Sequence, residues 1–210
     1  MGVMKRVRVK HVILFALLIL AGVSLFGWYL TGRGFSARDE PSSLETFVAR
    51  RVRRLATPAT ARDATNPFPV TPEVLAGAMA HFADHCAICH GNDGKGETLI
   101  GRGLFPKPPD MTSAATQQLT DGELYYIIEN GIRLTGMPAF GEQPGNMQNN
   151  ESWDLVHFIR HLPLITNDEV VAMKKMNPKS PMERAKEEEI RRFLEGDEGT
   201  PADPVQPHHH

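Results

Sequence analysis

The sequence predicts an all-α fold, with one N-terminal transmembrane helix, a helical domain at residues 71–163 and a helical C-terminal extension. Three observations predict it. Apolar residues recur at helical spacing in most segments, no segment alternates apolar and polar residues as a strand would, and one long run near the N-terminus is uncharged. The 210 residues are enough for one compact domain with appendages at either end.

The uncharged run predicts a membrane anchor. It extends from Val12 to Leu30 and, at about 1.5 Å per residue in a helix, it matches the thickness of a bilayer's hydrocarbon core. Residues 1–11 are basic, which favours a cytoplasmic N-terminus with the rest of the chain outside the cytoplasm. A cleaved signal peptide is the alternative. Its apolar core is usually shorter, and Gly27–Leu30 offers no small-residue cleavage site, so we expect a retained anchor.

Residues 31–70 predict a basic amphipathic helix followed by a linker. Ser42 and Glu45 form a possible capping box, and the linker is the stretch from Thr57 to Thr71, which is rich in Ala, Thr and Pro. The helix is a docking surface for anionic lipid or an acidic partner, or it packs on the protein's own acidic domain; we favour the second interpretation. Its apolar positions are Leu44, Phe47, Val48, Val52 and Leu55, and its arginines are Arg50, Arg51, Arg53 and Arg54.

Three helices are predicted in the central domain. The first begins at Thr71, the second at Thr120, and the third covers Glu151 to Leu162. The chain as a whole is nearly neutral, with 23 basic and 25 acidic residues, but the central domain is acidic. Because phosphate binding needs clustered lysines and arginines, this composition excludes a nucleic-acid partner.

The C-terminal extension is predicted to contain two helices and a disordered tail. Thr166 and Ser180 are each followed three residues later by Glu, a helix-start pattern, and residues 197–210 have no apolar periodicity. The second helix is expected to be mostly solvated and to carry the pairs Glu187–Arg191 and Glu188–Arg192. The tail ends in His208, His209 and His210, which would capture copper, nickel or zinc transiently or are the remnant of a purification tag.

The motif Cys86-Ala-Ile-Cys89-His90 is the attachment signature of a c-type haem. The two thiols add to the vinyl groups of the porphyrin, and the adjacent imidazole ligates the iron. The alternatives are a structural disulfide, a thioredoxin-like redox pair and half of a zinc site. Since these are the only two cysteines, a four-thiol zinc site is excluded. We therefore predict one haem c, attached covalently through Cys86 and Cys89.

The sixth iron ligand decides between electron transfer and the binding of a small ligand. Among the nine methionines, Met137 is the candidate, because it lies in a non-helical stretch that Pro138 stiffens. Met111 and Met147 are weaker candidates, and Met79 is expected in the core. We predict that His90 and Met137 ligate the iron.

Residues 72–163 resemble a class I mono-haem c-type cytochrome domain of the bacterial kind. The resemblance rests on the order of the haem motif, the proline segment Lys107–Met111, the stretch Gly136–Phe140 and the closing helix that Trp153 opens. It implies that the Pro109 carbonyl accepts a hydrogen bond from the second nitrogen of His90. It also suggests that Arg133 and Trp153 hydrogen-bond a haem propionate. Two i, i+4 histidine pairs, His81 with His85 and His157 with His161, are interpreted as exposed residues and not as metal ligands.

The predicted organisation is a cytoplasmic segment at 1–11, the anchor at 12–30, the basic helix and linker at 31–70, the cytochrome c domain at 71–163, the extension at 164–196 and the tail at 197–210. The function expected is that of an electron carrier without catalytic residues, anchored in a bacterial inner membrane with its haem domain in the periplasm. Its partners would be a redox donor and a redox acceptor. A haem subunit that relays electrons inside an enzyme complex, and a haem-based sensor that lacks the Met137 ligand, are the alternatives.

Overall fold

The computed structural model of the protein describes residues 2–34, 36–141 and 147–195. Within these ranges the chain is helical, without a β-strand, as the sequence predicts. The disordered tail predicted at 197–210, with His208, His209 and His210, lies outside the described residues. The α-helices are α1 (Gly2–Arg33), α2 (Ser43–Ala56), α3 (Ala59–Arg62), α4 (Pro72–His81), α5 (Ala87–His90), α6 (Ala114–Gln117), α7 (Asp121–Asn130), α8 (Asn150–His161), α9 (Asn167–Lys174) and α10 (Pro181–Glu195).

Helix α1 contains the apolar run. Its stretch Val9–Gly32 is long and apolar enough to cross a membrane, a test that a signal sequence also passes. The large apolar side chains between Val12 and Leu30 are exposed, so nothing in the described chain covers them.

Helix α2 forms where the capping box predicts it. The Ser42 hydroxyl accepts a hydrogen bond from the backbone N–H of Glu45, and the Glu45 carboxylate accepts one from the N–H of Ser42. The helix contacts the acidic domain, the interpretation that we favoured, through its last turn, where Arg53 is half-buried and Thr57 is buried. Its five apolar side chains take no part in this contact, because all of them are exposed.

The segment predicted as a linker is folded against the domain. Its middle forms α3, which packs on α7 and buries Ala61. Further along, the Asn66 side chain donates a hydrogen bond of 2.8 Å to the carbonyl oxygen of Trp153, and the Phe68 carbonyl lies 2.9 Å from Nε2 of His157. The compact domain therefore begins near Thr57, ahead of the predicted boundary at 71.

The core of the domain lies where α4 and α8 cross, with α7 packed against α8. Ring pairs mark the two contacts: the centroids of Phe82 and Phe158 are 5.0 Å apart, and Tyr125 stacks on Trp153 at 4.2 Å. The first helix of this crossing contains a π-helical turn over Phe82–Cys86, which lies between α4 and α5. Such turns are frequent at functional sites, and this one ends on the first cysteine of the motif.

The contact between α3 and α7 depends on a glycine. A Cβ atom at Gly122 would lie 1.8 Å from the carbonyl oxygen of Ala61, so Gly122→Ala is expected to push α3 away and to lower the free energy of unfolding by about 1–3 kcal/mol. Gly77→Ala is the matched control: this helical glycine has no atom within 4 Å of its missing Cβ, and alanine there should stabilise by about 0.8–1 kcal/mol. Denaturant titration of both variants is the measurement, and equal stabilities would contradict the prediction.

The extension divides into a packed and an exposed part. Helix α9 begins at the predicted start, Thr166, with a capping box; it buries Met173 and places Glu169 2.8 Å from Nε2 of His161. Helix α10 is mostly exposed, as expected, and Arg192 is its half-buried residue among the side chains that the structure describes. Its Glu188–Arg192 pair is present at 2.7 Å, whereas Glu187 pairs with Lys179 and not with Arg191.

Candidate haem-binding site

The haem motif lies at the end of the first helix of the domain. Cys86 is the last residue of the π-helical turn, while Cys89 and His90 belong to α5, which Gly91 ends with a φ of 74°. A positive φ favours glycine, so the chain can turn away directly after the histidine. Both cysteines are free, and the disulfide that the sequence left open is not formed.

The environment of the thiols does not suit a thioredoxin-like pair. Burial raises the pKa of the Cys86 thiol to about 12, and burial also raises the pKa of Cys89. A reactive redox cysteine needs a lowered pKa, because the thiolate is the nucleophile. The two side chains are instead free thiols at the end of one helix.

His90 is the buried polar residue of this site. Burial lowers the pKa of its imidazole to about 4, so the ring is neutral at pH 7 and can ligate a metal. Its Nδ1 atom is buried and has no hydrogen-bond partner among the described residues. An unsatisfied buried nitrogen is costly and calls for an explanation, and a histidine whose ring is reserved for a haem provides one. The predicted bond from this histidine to the Pro109 carbonyl is not formed here, and the role of Pro109 stays a prediction.

Three glycines bring the following loop against the motif. A Cβ atom at Gly101 would lie 2.5 Å from the carbonyl oxygen of Cys89, and one at Gly96 would lie 2.6 Å from that of Pro108. The N–H of Met111 donates to the Gly94 carbonyl oxygen over 2.8 Å. The haem motif and the proline segment Lys107–Met111 are therefore parts of one contiguous structure.

Met137 lies in a short turn beside this structure. Its N–H donates to the Thr135 hydroxyl, its carbonyl oxygen accepts from the N–H of Ile132, and both distances are 3.1 Å. A Cβ atom at the neighbouring Gly136 would lie 2.8 Å from the side chain of Leu104, just before the proline segment. The side chain of Met137 is half-buried, whereas Met111 belongs to the hydrophobic core. Met79 and Met147 pack against that core, so Met137 remains the candidate ligand.

Trp153 lies in the core between α7 and α8. This residue is 1% exposed, and its indole N–H donates to the carbonyl oxygen of Met147 at 3.0 Å. Its contact with a haem propionate stays a prediction. Arg133 is exposed in the turn before Met137, and its contact with a propionate stays a prediction.

Sequence reasoning missed a buried carboxylate beside the methionine turn. Glu129 is 5% exposed and accepts hydrogen bonds from the Ser152 hydroxyl at 2.5 Å and the Asn149 side chain at 2.9 Å. Its carbonyl oxygen accepts from the N–H of Gly141 at 3.0 Å. Glu129 thus joins α7 and the start of α8 to the chain just beyond Met137. An acidic residue in the last turn of a helix opposes the helix dipole, and this was the signal in the sequence.

The other histidines of the described residues have partners of their own or pair with one another. Within residues 2–34, 36–141 and 147–195 there is no group of three or more His, Cys, Asp or Glu side chains that could hold a metal ion. His157 and His161 are half-buried rather than exposed as predicted, and each contacts an oxygen of the protein through Nε2. His81 and His85 form an edge-on ring pair with centroids 4.8 Å apart.

An all-helical core with a Cys-x-x-Cys-His motif on its first helix defines a c-type cytochrome domain. Residues 73–159 match a family described as cytochrome C oxidase, cbb3-type, subunit III, and this stretch of the chain is a cytochrome c domain. The resemblance drawn from the motifs is thereby confirmed, and a single haem motif is in keeping with a mono-haem class I domain. A comparison with curated proteins found no match. The residues that would hold the haem fit it: two free thiols, a neutral imidazole with a free ring nitrogen, and a methionine on a nearby turn.

Proposed function

We propose that the protein is a membrane-anchored c-type cytochrome that carries single electrons between redox proteins of a respiratory or periplasmic chain. In this proposal, residues 12–30 of α1 anchor it in the inner membrane of a bacterium, and the haem domain lies on the periplasmic side. One observation carries the proposal: two free thiols and a buried histidine, whose Nδ1 has no hydrogen-bond partner among the described residues, lie together at the end of one helix.

The residues of the site have different roles in holding the haem. Cys86 and Cys89 would bind the porphyrin covalently, so that the group would be retained through many cycles. His90 and Met137 would ligate the iron and leave no position for a substrate. A haem held in this way would supply a one-electron couple, and a methionine ligand would raise its potential. The hydrogen bonds of the Met137 backbone to Thr135 and Ile132 hold this residue in its turn.

The charge of the domain indicates its partners. Residues 71–162 are acidic, and an acidic surface attracts a redox protein with a basic docking face. Association would then slow as salt rises, because salt screens the attraction between the two faces. No residue of the site is assigned as a catalytic acid, base or nucleophile, so we interpret the protein as a carrier and not as an enzyme.

The family match favours a second candidate function. The matched family is described as a subunit of an oxidase, which suggests a haem subunit that relays electrons inside a dehydrogenase or oxidase complex. Purification from native membranes in mild detergent distinguishes the two candidates. A free carrier is recovered alone, whereas a subunit is recovered with a stoichiometric second polypeptide.

The Met137→Ala variant tests the iron ligation. In the oxidised full-length protein, made with haem-maturation machinery, we expect the weak far-red band of methionine-ligated ferric haem, and we expect the variant to lose it. The ferrous variant should bind carbon monoxide, and its reduction potential should fall by roughly 0.1–0.3 V, within the span of about 0.8 V that axial ligands cover.

The matched control is Met147→Ala, which alters a methionine that packs on the core and should keep the band. Absence of the band from the unaltered protein, together with ready binding of carbon monoxide, would contradict the Met137 assignment and favour the sensor. Loss of the band in the control alone would move the ligand to Met147.

A further inference from the structure

Helix α2 presents an apolar face to solvent. At about 100° per residue, Leu44, Phe47, Val48, Val52 and Leu55 cover about 140° of its circumference. None of them is covered by the described chain: Leu44 is 71% exposed, Phe47 66% and Leu55 70%. A continuous apolar face that is exposed on the surface of a protein domain marks an interaction site.

The arginines of α2 are arranged around that face. Arg51 lies within it, and Arg50 and Arg54 follow along its edge next to Phe47. These three arginines and Phe47 line one shallow cleft of about 480 Å³, together with Pro41, Ser43 and Thr46. Basic side chains beside an apolar stripe are the composition of helices that lie in the interface of an anionic bilayer, since the guanidinium groups can extend to the phosphates.

The fourth arginine orients the helix. Arg53 is on the side opposite the apolar face and is half-buried in the domain. Its pKa is lowered by burial, and the nearby Glu123 carboxylate opposes that shift. The Arg54 carbonyl oxygen also accepts a hydrogen bond from the Arg62 side chain. The last turn of α2 is therefore fixed to the domain, with the apolar face turned away from it.

The position of α2 in the chain puts it close to the end of α1. Only residues 34–42 separate the two helices, a distance of about 30 Å at full extension. The link is shortened further by an ion pair between Glu40 and Lys107 of the proline segment. A helix on so short a connection to a membrane anchor stays near the bilayer surface.

We propose that the apolar face of α2 lies in the headgroup region of an anionic lipid bilayer, with Arg50, Arg51 and Arg54 on lipid phosphates. This inference rests on the membrane anchoring in the proposed function. A lipid surface fits better than an acidic protein, because the face combines exposed apolar side chains with arginines on one edge, within reach of the membrane. The contact holds the haem domain at one orientation to the bilayer.

Hydrogen exchange measured by mass spectrometry tests the proposal. The full-length holoprotein is placed in nanodiscs of phosphatidylcholine alone or with phosphatidylglycerol. We expect backbone amides of residues 43–56 to exchange about tenfold more slowly with the anionic lipid, which corresponds to about 1.4 kcal/mol. Phe47→Asp, and separately the double change Arg50→Gln and Arg54→Gln, should each remove this protection.

The matched control is Phe193→Asp on α10, which alters a phenylalanine that is 83% exposed on another helix and should leave the exchange of α2 unchanged. Equal exchange of residues 43–56 in both lipids would overturn the proposal, as would protection that appears only when an acidic protein is added. Amides of residues 12–30 report the anchor separately. Their rapid exchange in both nanodiscs would contradict the anchoring, whereas their protection without protection of α2 contradicts only the present inference.

Discussion

The double variant Cys86→Ala, Cys89→Ala is expected to carry no covalently bound haem. Each thiol supplies one thioether bond, and these are the only cysteines of the chain, so no other side chain can replace them. Haem staining on a denaturing gel and the mass of the intact polypeptide are the measurements. The haem stain should be absent and the mass should be that of the polypeptide alone, because a denatured chain retains haem only through a covalent bond.

The single variants provide the internal control for this experiment. Cys86→Ala and Cys89→Ala each leave one thiol, and each should retain some stained, covalently modified chain. Haem that stays attached in the double variant would contradict the assignment of the motif. Reversible binding of haem by the double variant would not contradict the assignment, since His90 and Met137 are unchanged in that variant.

Trp153→Ala is expected to destabilise the domain by about 3–5 kcal/mol, the cost of removing a large aromatic side chain from a core. The indole is fully buried and stacks on Tyr125, and its N–H satisfies the Met147 carbonyl oxygen. Denaturant titration of the detergent-solubilised holoprotein, followed by haem absorbance, measures the change.

Two further substitutions sharpen the result for Trp153. Trp153→Phe keeps an aromatic ring against Tyr125 but loses the hydrogen bond, so it should cost about 1–3 kcal/mol. Trp28→Ala is the matched control, because that tryptophan is 75% exposed on α1 and outside the domain. A stability of Trp153→Ala equal to that of Trp28→Ala would contradict the core role of Trp153.

The features that the sequence predicts well depend on residues close together in the chain. The helices after Ser42, Thr120 and Thr166 begin where expected, and each begins with a capping box, which needs only a hydroxyl and a glutamate three residues apart. The haem motif is equally local, with two thiols and an imidazole within five residues. These patterns fix the helix starts and the centre of the site without knowledge of the tertiary contacts.

The features that the sequence does not predict depend on distant contacts. Asn66 and Trp153 are 87 positions apart, so nothing near residue 66 indicates that this segment folds against α8. The burial of Glu129, which bonds Ser152 at the start of α8, likewise follows from how α7 and α8 meet. The π-helical turn that ends at Cys86 carries no pattern of its own, since its residues also suit an α-helix.

The folding of residues 57–70 onto α7 and α8 has a consequence for how the protein meets its partners. If residues 34–70 were a free linker, an anchored domain could move far from the bilayer. Here the ion pair of Glu40 with Lys107 leaves residues 34–39 as the connection, about 20 Å at full extension. With α1 in the membrane, the search for a partner becomes nearly two-dimensional. The carrier would then exchange electrons mainly with complexes of its own membrane, and its exchange with freely diffusing redox proteins would be slow.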